Sequence, residues 1–492
     1  MNIFDEILNR SENLNRHAII GRQTLSFEDV NRHAASIAEV LGRSGVRPGH
    51  RVGICLDQGP AYLASLLGIY MADAVSVLLT PDWTAREKDR VIRSAQLTSV
   101  ISDTQVVGSE KPRDLLPIDG IDVSVLSFGL DDDITCEPGD AVIIFTSGTT
   151  NMPKGVVLSA DSVSANVRAV ADYLEITDLD RCPVFTPPCY AYSLSQNLVN
   201  ALRGCSTLPV PTGLRFPGEI LRDIHHHGLT GISATPTALR LFCNTNTNDA
   251  LDFSSVRFVM VGGQFLDIEL VERIEQSFPS ADVVNMYGIS ENCPRVSYHY
   301  VKSRQGLDEM GYFAVGTPVN GTKVRVLDDD GQHVAPGNVG EIVVGGDSLM
   351  RGYWNDEDET TARLHDGWFH TRDLGYVDDD GLLHIAGRNN NVINVGNDKV
   401  IPEEVEKILL ESEEIEDAAV FGQPDKLTGE AVCAMVVSAA PGDGHLAMVQ
   451  RQCRGKLSGY KVPRHVTGVD AVPRTLYGKI DRKALTQGLS DQ

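Results

Sequence analysis

The sequence predicts an α/β protein with a large N-terminal domain of βαβ-type sheets, a small barrel-like subdomain, and a small α+β domain at the C-terminus. Apolar strand-like segments alternate with helical patterns over residues 25–110 and again near residue 256, a rhythm typical of a largely parallel sheet. After about residue 315, short strands are separated by glycine- and aspartate-rich turns, which indicates antiparallel hairpins. The length of 492 residues also exceeds what one hydrophobic core holds.

The first half is built from strongly patterned elements. Ser26 begins a capped helix that runs toward Leu41. An apolar helix is predicted over residues 61–72, and a further helix follows Leu266. The buried strands predicted here are apolar runs over residues 51–56, 75–79 and 256–261.

In the second half, short strands and turns replace the alternation of helices and strands. Strands are predicted over residues 323–327 and 341–344, and a hairpin over residues 375–386 turns at an Asp-Asp-Asp-Gly sequence. Three consecutive asparagines, residues 389–391, favour a turn and provide no core.

The predicted domain boundary lies at these asparagines. Residues 1–387 form the first domain, with the barrel-like subdomain at about 315–387, and residues 388–492 form the second. A helix is predicted over residues 402–411, with Val405, Ile408 and Leu409 on one face.

Composition narrows the functional classes. The net charge of −24 argues against a general nucleic-acid-binding surface. No apolar run reaches membrane-spanning length, and the charged N-terminus does not resemble a signal peptide. Nine scattered cysteines without a CxxC pair fit a reducing cytoplasm.

A polar loop follows the strand-like residues 141–144. Its hydroxyl, glycine and lysine residues can turn backbone N–H groups and one positive charge toward an oxygen-rich ligand such as polyphosphate. The loop is not a Walker loop, because Lys154 stands between proline and glycine. The candidate phosphate-binding residues are Thr146, Ser147, Gly148, Thr149, Thr150 and Lys154.

Four further motifs lie far along the chain. Tyr287 precedes Gly288 and is suited to stacking on a purine, and Glu291 is suited to a divalent cation. Asp373 is an acceptor suited to a ribose diol, and Arg388 offers a cation near it. Lys479 follows a glycine close to the C-terminus.

Taken in this order, these motifs resemble the ANL adenylating superfamily, which includes acyl- and aryl-CoA synthetases, nonribosomal peptide synthetase adenylation domains and luciferases. The resemblance extends over nearly the whole chain, including residues 350–355. It implies a two-step reaction. A carboxylate first attacks the α-phosphate of ATP with Mg²⁺ bound, and a thiol or an amine then takes the acyl group.

The resemblance also implies residue roles. The loop residues 146–150 and Lys154 would contact the phosphates, Ser290 the α-phosphate, and Glu291 would hold Mg²⁺. Tyr287 would pack on adenine, Gly288 would belong to the ATP site, and Asp373 and Arg388 would bind the ribose. Lys479 would bridge the attacking carboxylate and the α-phosphate.

In the family, the C-terminal domain rotates between the two steps. The implied hinge is Asn390, and the loop at Gly396 would face the acceptor. This chain departs from the usual family residues at Asn151, Ser290, Arg372 and Asn390. The hydroxyl of Ser290 preserves that function, and asparagine can still adopt the left-handed conformation at a hinge.

The resemblance places acid selection in residues 187–195. Amino-acid-activating members usually carry an aspartate where Ala191 stands, and an unpaired buried ammonium is costly, so an α-amino acid is disfavoured. The predicted pocket residues are Tyr190, Ala191, Tyr192, Gly262, Gly263 and Pro294. Small, aromatic and medium-chain acids all remain open.

Three acceptor classes also remain open. Residues 396–406 resemble CoA-forming members, which favours CoA as the second substrate. An acyl carrier protein or a free amine is the alternative acceptor. An inactive binding protein of the same fold is a further alternative, but the retention of Lys479 and Glu291 speaks against it.

Other conspicuous residues have ordinary structural explanations. Residues 225–227, three histidines, are interpreted as a polar helix end rather than a metal site. Cys189 is interpreted as a pocket-lining thiol without a partner that would activate it. The acidic residues 403–417 are interpreted as a solvated face.

Overall fold

The structure is a computed structural model. It describes the chain except for residues 1, 11–13, 21–23, 105, 107–108, 110–114, 119, 129–135, 147–152, 211–215, 246–250, 303, 310, 397, 426–427, 439–443, 475–479 and 488–492. The side chains of residues 115, 121, 390, 483, 486 and 487 are also outside the description. Within the described residues, the helices are too short or too polar to cross a membrane.

Helices and strands alternate through most of the described chain. The helices are α1 (Ile3–Leu8), α2 (Phe27–Arg43), α3 (Pro60–Met71), α4 (Ala85–Ser94), α5 (Ala160–Tyr173), α6 (Ala191–Arg203), α7 (Pro217–His227), α8 (Pro236–Asn244), α9 (Ile268–Ser277), α10 (Glu357–Arg363), α11 (Pro402–Leu410), α12 (His445–Cys453) and α13 (Arg482–Gln487). Short 3₁₀ turns lie at Ser290–Asn292, Asn389–Asn391 and Gly459–Lys461.

The strands are β1 (His17–Ile19), β2 (Leu25–Ser26), β3 (Arg51–Cys55), β4 (Val75–Leu78), β5 (Ser99–Ser102), β6 (Leu115–Ile118), β7 (Ile121–Ser127), β8 (Asp140–Thr146), β9 (Lys154–Ser159), β10 (Arg181–Val184), β11 (Ser206–Pro209), β12 (Gly231–Ala234), β13 (Phe258–Gly262), β14 (Asp282–Gly288), β15 (Arg295–Tyr300), β16 (Thr317–Pro318), β17 (Thr322–Leu327), β18 (Gly340–Gly346), β19 (Gly352–Tyr353), β20 (Leu364–His365), β21 (Trp368–Val377), β22 (Leu383–Arg388), β23 (Ile393–Val395), β24 (Asp398–Val400), β25 (Asp417–Asp425), β26 (Gly429–Val437) and β27 (His465–Gly468).

The chain folds into two compact units. Unit 1 contains residues 1–303, 317–324 and 344–369, and unit 2 contains residues 304–316, 325–343 and 370–492. The chain therefore passes between the units several times, whereas the two predicted domains are joined by a single connection in the sequence. The predicted boundary between residues 387 and 388 stays a prediction.

Three sheets organise unit 1. The largest has the order β19-β9-β8-β4-β3-β5-β7-β6, and its central strands β8, β4, β3 and β5 run parallel. A second sheet has the order β12-β13-β14-β15-β16, in which β12, β13 and β14 are parallel. The third has the order β10-β11-β1-β2. The predicted α/β class with parallel βαβ units is confirmed.

Local sequence explains the first helices. The side chain of Ser26 accepts from the Asp29 N–H and the Asp29 side chain accepts from the Ser26 N–H, so both polar groups at the start of α2 are satisfied. Helix α3 is apolar all round and nearly every residue in it is buried, as expected for a helix covered on all sides. Gly68 permits close contact with α2, because a Cβ there would lie 2.7 Å from the Ala34 carbonyl oxygen.

Unit 2 contains the predicted hairpin and a C-terminal sheet. Strands β21 and β22 pair antiparallel from Asp373–Arg388 to Val377–Leu383, which confirms the hairpin. The C-terminal sheet has the order β24-β23-β26-β25, with β27 parallel to β26. Helix α11 packs Val405, Ile408 and Leu409 into the core of this sheet, as predicted.

The interpretation of residues 403–417 as a solvated face is wrong for part of α11. The side chain of Glu406 is buried and accepts from the Val420 N–H at 2.8 Å and from Arg482 at 3.0 Å. Glu403 also pairs with Arg482 at 3.0 Å. Sequence periodicity could not show this, because Arg482 lies at the start of α13 and reaches α11 only through the fold.

We predict that Glu406 makes stability fall as pH rises. Burial is the main cause that raises the pKa of Glu406 from 4.5 to about 7, although Arg482 opposes it. Between these values the folded state keeps a proton that the unfolded state releases, so folding is favoured at the acidic end of the window and loses this advantage by about pH 7. Thermal unfolding of the full chain between pH 5 and 8 measures the slope.

The variant Glu406→Gln should flatten this slope, because its amide does not titrate. The exposed Glu414, which pairs with Arg451, gives a matched control, Glu414→Gln, that should keep the wild-type slope. Identical slopes in wild type and Glu406→Gln would contradict the assignment.

Candidate active site

The polar loop connects two antiparallel strands. Thr146 at the end of β8 is paired in register with Lys154 at the start of β9, and the Thr146 hydroxyl donates to the Lys154 carbonyl at 3.5 Å. The predicted residues Ser147, Gly148, Thr149, Thr150 and Asn151 lie outside the described residues. The strands therefore fix both ends of the loop.

Lys154 is held in a partly buried ion pair. Its Nζ lies 2.7 Å from Glu359 Oε1, and both side chains are less than one-fifth exposed. Its ammonium also lies 5.4 Å from the centre of the Tyr353 ring. Glu359 belongs to α10 and also pairs with Arg363 at 3.4 Å, so one carboxylate balances two cations.

Glu291 is oriented by the same tyrosine. Tyr353 Oη donates to Glu291 Oε1 at 2.7 Å, and the Met350 N–H donates to the Glu291 carbonyl oxygen at 2.8 Å. Burial, and then the adjacent carboxylate, raise the pKa of Tyr353, so its hydroxyl remains a neutral donor. Glu291 Oε2 has no hydrogen bond among the described residues, and a carboxylate oxygen suits a hard divalent cation.

Three distant segments thus meet in unit 1. Strand β19 pairs with β9, with Tyr353 opposite Val156. This pairing brings residues 350–354 beside Lys154 and lets Tyr353 reach Glu291. The sequence missed Glu359, because an acidic residue in the first part of a helix is otherwise an ordinary surface feature.

The turn after Gly288 is buttressed from α5. Ser290 and Glu291 begin the Ser290–Asn292 turn. Asn166 donates to the carbonyl oxygens of Asn292 at 2.9 Å and Arg295 at 2.8 Å. These bonds satisfy buried backbone groups that would otherwise be costly, and they fix the predicted residues Tyr287, Gly288, Ser290 and Pro294 in one connected segment.

Several predicted pocket residues lie around this segment. Tyr190 is the N-cap residue of α6, and Ala191 and Tyr192 form its first turn. The guanidinium carbon of Arg295 lies 3.9 Å from the centre of the Tyr192 ring. The sequence missed Arg295, whose only signal was a cation in a largely buried strand.

The glycines of the predicted pocket end β13. Gly262 lies beside Met286 of β14, where a Cβ would fall 2.4 Å from Met286 Cε. Gly263 has φ +88°, which favours glycine. The thiol of Cys189 is buried, and burial raises its pKa to about 12, which agrees with a thiol that is not activated.

The proposed ribose residues meet in unit 2. Asp373 and Arg388 are opposite each other in the β21–β22 hairpin, and Asp373 Oδ1 lies 2.9 Å from Arg388 Nε. The preceding residue, Arg372, has φ +59°. That left-handed conformation explains why glycine is usual there, and the Arg372 N–H donates to Glu341 at 2.9 Å.

The remaining predicted residues also belong to unit 2. Asn390 lies in the 3₁₀ turn Asn389–Asn391. Gly396 follows β23 with φ +66°, and its N–H donates to the Thr428 carbonyl at 2.7 Å. Lys479 lies outside the described residues.

The histidines at 225–227 form the last turn of α7 in unit 1, and Gly228 ends this helix in the left-handed conformation. The interpretation of these histidines as a polar helix end agrees with this position.

We predict that Gly288→Ala disrupts the site. Its Cβ would lie 2.1 Å from the Pro294 carbonyl oxygen, a backbone atom that cannot rotate away. We expect the free energy of unfolding to fall by about 1–3 kcal/mol and pyrophosphate formation from ATP to fall sharply. Denaturant unfolding and a pyrophosphate assay measure these effects.

Gly42→Ala is the matched control. A Cβ at this position in α2 meets nothing within 4 Å, so stability and activity should be unchanged or slightly higher. A Gly288→Ala protein with wild-type stability and activity would show that the backbone has room to move.

Comparison with known proteins connects this geometry to a family. The model of the AMP-binding enzyme family matches residues 8–354, and that of the AMP-binding enzyme C-terminal domain matches residues 404–479. The chain is 31% identical over 474 residues to feruloyl-CoA synthase of an Amycolatopsis species, covering 94% of this chain and 93% of that protein. It is 30% identical over 496 residues to 4-coumarate–CoA ligase 2 of Nicotiana tabacum, covering 95% and 90%.

Solved structures agree with this comparison. ATP-bound MatB from Rhodopseudomonas palustris superposes with a TM-score of 0.84 at 25% identity and covers 100% of this chain and 99% of its own. The o-succinylbenzoate CoA synthetase of Bacillus subtilis, in complex with an acyl-adenylate, has a TM-score of 0.81 at 25% identity, with coverages of 99% and 98%. The predicted family, fold class and class of enzyme, an AMP-forming acid–CoA ligase, are confirmed. Because the family model matches well over half of its length, the chain belongs to the AMP-binding enzyme family.

Proposed function

We propose that this chain activates a carboxylic acid with ATP, releases pyrophosphate, and transfers the acyl group from the acyl-adenylate to CoA. The observation that carries this proposal is the cluster of Lys154, Glu291 and Tyr353 beside the polar loop, in a member of a family of adenylate-forming enzymes. The cluster joins a cation for phosphate to a carboxylate for a metal. Adenylyl transfer depends mainly on such positioning and charge balance.

The N-terminal residues of the site hold the triphosphate. Thr146, the loop residues 147–150 and Lys154 bind the β- and γ-phosphates, and Lys154 exchanges its contact with Glu359 for a phosphate oxygen. Glu291 would hold Mg²⁺, while Tyr353 orients this carboxylate by donating to Oε1. Bound Mg²⁺ neutralises phosphate charge. A solved structure of the B. subtilis relative holds both ATP and a magnesium ion, which supports this assignment.

Other residues orient the nucleoside. Tyr287 packs on adenine, Gly288 belongs to the ATP site, and Asp373 accepts from the ribose hydroxyls. Arg388, paired with Asp373 at 2.9 Å, keeps this carboxylate in place. Ser290 donates to the α-phosphate.

In the first step, one bond forms and one bond breaks at the α-phosphorus. A carboxylate oxygen of the acid attacks the α-phosphorus, and the bond from that phosphorus to the β-phosphate oxygen breaks to release pyrophosphate. Lys479 contacts both the attacking carboxylate and the α-phosphate and stabilises the charge that develops between them.

The second step uses a different face of the C-terminal domain. Residues 388–492 rotate about Asn390, which withdraws Lys479 and turns the Gly396 loop toward the acceptor. The CoA sulfur then attacks the acyl carbon, and AMP leaves with the mixed-anhydride oxygen. A hinge in a short turn is a common way to absorb such a rotation.

The acid lacks an α-amino group, because Ala191 provides no carboxylate to pair with an ammonium. The relatives named as feruloyl-CoA synthase and 4-coumarate–CoA ligase support CoA as the acceptor. We propose a cytoplasmic location, because all nine cysteines are unpaired and free thiols persist in reducing compartments.

The decisive experiment separates the two steps. The protein is incubated with ATP, Mg²⁺ and a panel of carboxylic acids, and pyrophosphate is measured. CoA, an acyl carrier protein or an amine is then added, and the products are identified by mass. We expect pyrophosphate with at least one acid and a CoA thioester from it. Pyrophosphate without any thioester would contradict CoA as the acceptor, and the absence of pyrophosphate with every acid would contradict the proposed enzyme.

We predict that Lys479→Ala separates the two steps. Adenylation should fall by about 100-fold or more, because the developing charge loses its partner. Transfer from a supplied acyl-adenylate to CoA should stay near wild type, because the lysine has left by then. Rapid-quench measurements of each step test this. Lys456→Ala, on a surface ion pair with Glu411, should change neither step, and equal losses in both steps of Lys479→Ala would contradict the role of Lys479.

We also predict that Tyr353→Phe weakens the use of Mg²⁺. Removing its hydrogen bond to Glu291 should raise the Mg²⁺ concentration for half-maximal pyrophosphate release by about tenfold. A magnesium titration at saturating ATP measures this shift. The partly exposed Tyr460 provides the control Tyr460→Phe, and an unchanged titration in Tyr353→Phe would show that Tyr353 does not position Glu291.

A further inference from the structure

Arg295 is a buried cation without a counter-charge among the described residues. It begins β15, its side chain is 0% exposed, and Nε, Nη1 and Nη2 form no hydrogen bond of normal geometry within the described part of the chain. Its backbone N–H and carbonyl are bonded by Asn166 and Asn292. An ionised group buried in this way is costly unless something pairs with it.

Aromatic rings surround the guanidinium but do not neutralise it. The Tyr192 ring lies 3.9 Å from it. Tyr173 also lies near the guanidinium: burial raises the pKa of Tyr173, and the charge of Arg295 opposes this rise. The Tyr173 ring stacks on Tyr298, with ring centres 4.1 Å apart. A cation–π contact recovers part of the lost hydration. It leaves the in-plane N–H donors of the guanidinium available to a planar acceptor.

Neighbouring positions also carry buried polar atoms without partners. Ser297 lies on the same face of β15 as Arg295, two residues along, and its Oγ has no described hydrogen bond. Ser195 and Gln196 lie on the same face of α6 as Tyr192, and Ser195 Oγ and Gln196 Oε1 are likewise buried and unpaired in the described chain. Buried polar groups in proteins are normally hydrogen-bonded, so these side-chain atoms are suited to bond a polar ligand.

The position of Arg295 identifies the site to which such a ligand belongs. Arg295 directly follows Pro294 and contacts Tyr192, and both of these residues belong to the proposed acid pocket. The described cations of the proposed nucleotide site already have partners: Lys154, assigned to phosphate, pairs with Glu359, and Arg388, assigned to the ribose, pairs with Asp373. The unpaired charge therefore lies with the acid rather than with ATP.

We propose that the acid is a dicarboxylic acid. One carboxylate is adenylated, and the other forms a two-pronged ion pair with Arg295, with Ser297 and Ser195 as further donors. Guanidinium and carboxylate match in this planar geometry. This inference rests on the proposed function and specifies its substrate class.

The wild-type protein gives the first test. Pyrophosphate release is measured with matched pairs of acids that have the same carbon skeleton: butanoate and succinate, pentanoate and glutarate, benzoate and terephthalate. For at least one pair, we expect kcat/KM for the dicarboxylate to exceed that for the monocarboxylate by about 100-fold, the usual scale for a site with an otherwise unpaired buried charge. Equal or better activity with the monocarboxylate in every pair would overturn the inference and leave the proposed function intact. No pyrophosphate with any acid would instead refute the proposed function.

The second test changes the selectivity. Arg295→Met removes the charge and keeps an unbranched side chain at this buried position. We expect it to lower kcat/KM for the preferred dicarboxylate by about 100-fold and to leave or improve that for its monocarboxylate partner. Arg295→Lys should recover part of the preference, because a single ammonium replaces the fork.

A structural role for Arg295 makes a different prediction. If it only supports Tyr192, both acids of a pair should lose activity together in Arg295→Met, and the selectivity ratio should stay constant. That result would overturn the inference. A wild-type protein in which kcat/KM for the dicarboxylate is about equal to that for the monocarboxylate would overturn it too, because Arg295 would then be satisfied without the second carboxylate. Arg93→Met, at an exposed helical pair with Asp89, is the control and should not change the ratio.

Discussion

The antiparallel pairing of β19 with β9 is the contact on which the proposed site depends. It is only two residues long, with Gly352 opposite Val157 and Tyr353 opposite Val156. Gly352 is needed there, because a Cβ would lie 2.9 Å from Thr360. The pairing places α10 with Glu359 next to Lys154 and turns Tyr353 toward Glu291. A short strand from the second half of the sequence thus sets the charge balance around Lys154 in the first half.

The charged groups of the site differ in how they are balanced. Lys154 and Arg388 each have a carboxylate partner within 3 Å, so each can bind a substrate oxygen by exchanging or sharing a contact that already exists. Arg295 has aromatic neighbours and no described counter-charge. A cation of the first kind is stable before the substrate arrives, whereas one of the second kind favours a substrate that brings its own negative charge. In the proposed function, this difference in charge balance separates the residues that bind the nucleotide from the one that selects the acid.

The sequence predicted much of the fold. Local patterns predicted the capping box at Ser26, the apolar helix at Pro60–Met71 and the aspartate-rich turn of the β21–β22 hairpin. Capping, burial and turn formation act over a few residues, so short patterns indicate them. It also predicted site roles for Glu291, Asp373 and Arg388, since their motifs are local even though their partners are distant. It failed for Glu406, whose acidic run indicated a solvated face, because the partner Arg482 lies 76 residues away.

By itself, then, the sequence determined the α/β class, the family and the chemistry that each motif is suited to perform, since these depend on residue types at short spacing. Only the tertiary structure decided which charges are paired. In the fold, Lys154 pairs with Glu359, Asp373 pairs with Arg388, and Tyr353 donates to Glu291. Arg295 is buried, and its guanidinium has no partner among the described residues. The physical reason is that burial and pairing depend on contacts between segments that are far apart in the chain, and no local pattern encodes them.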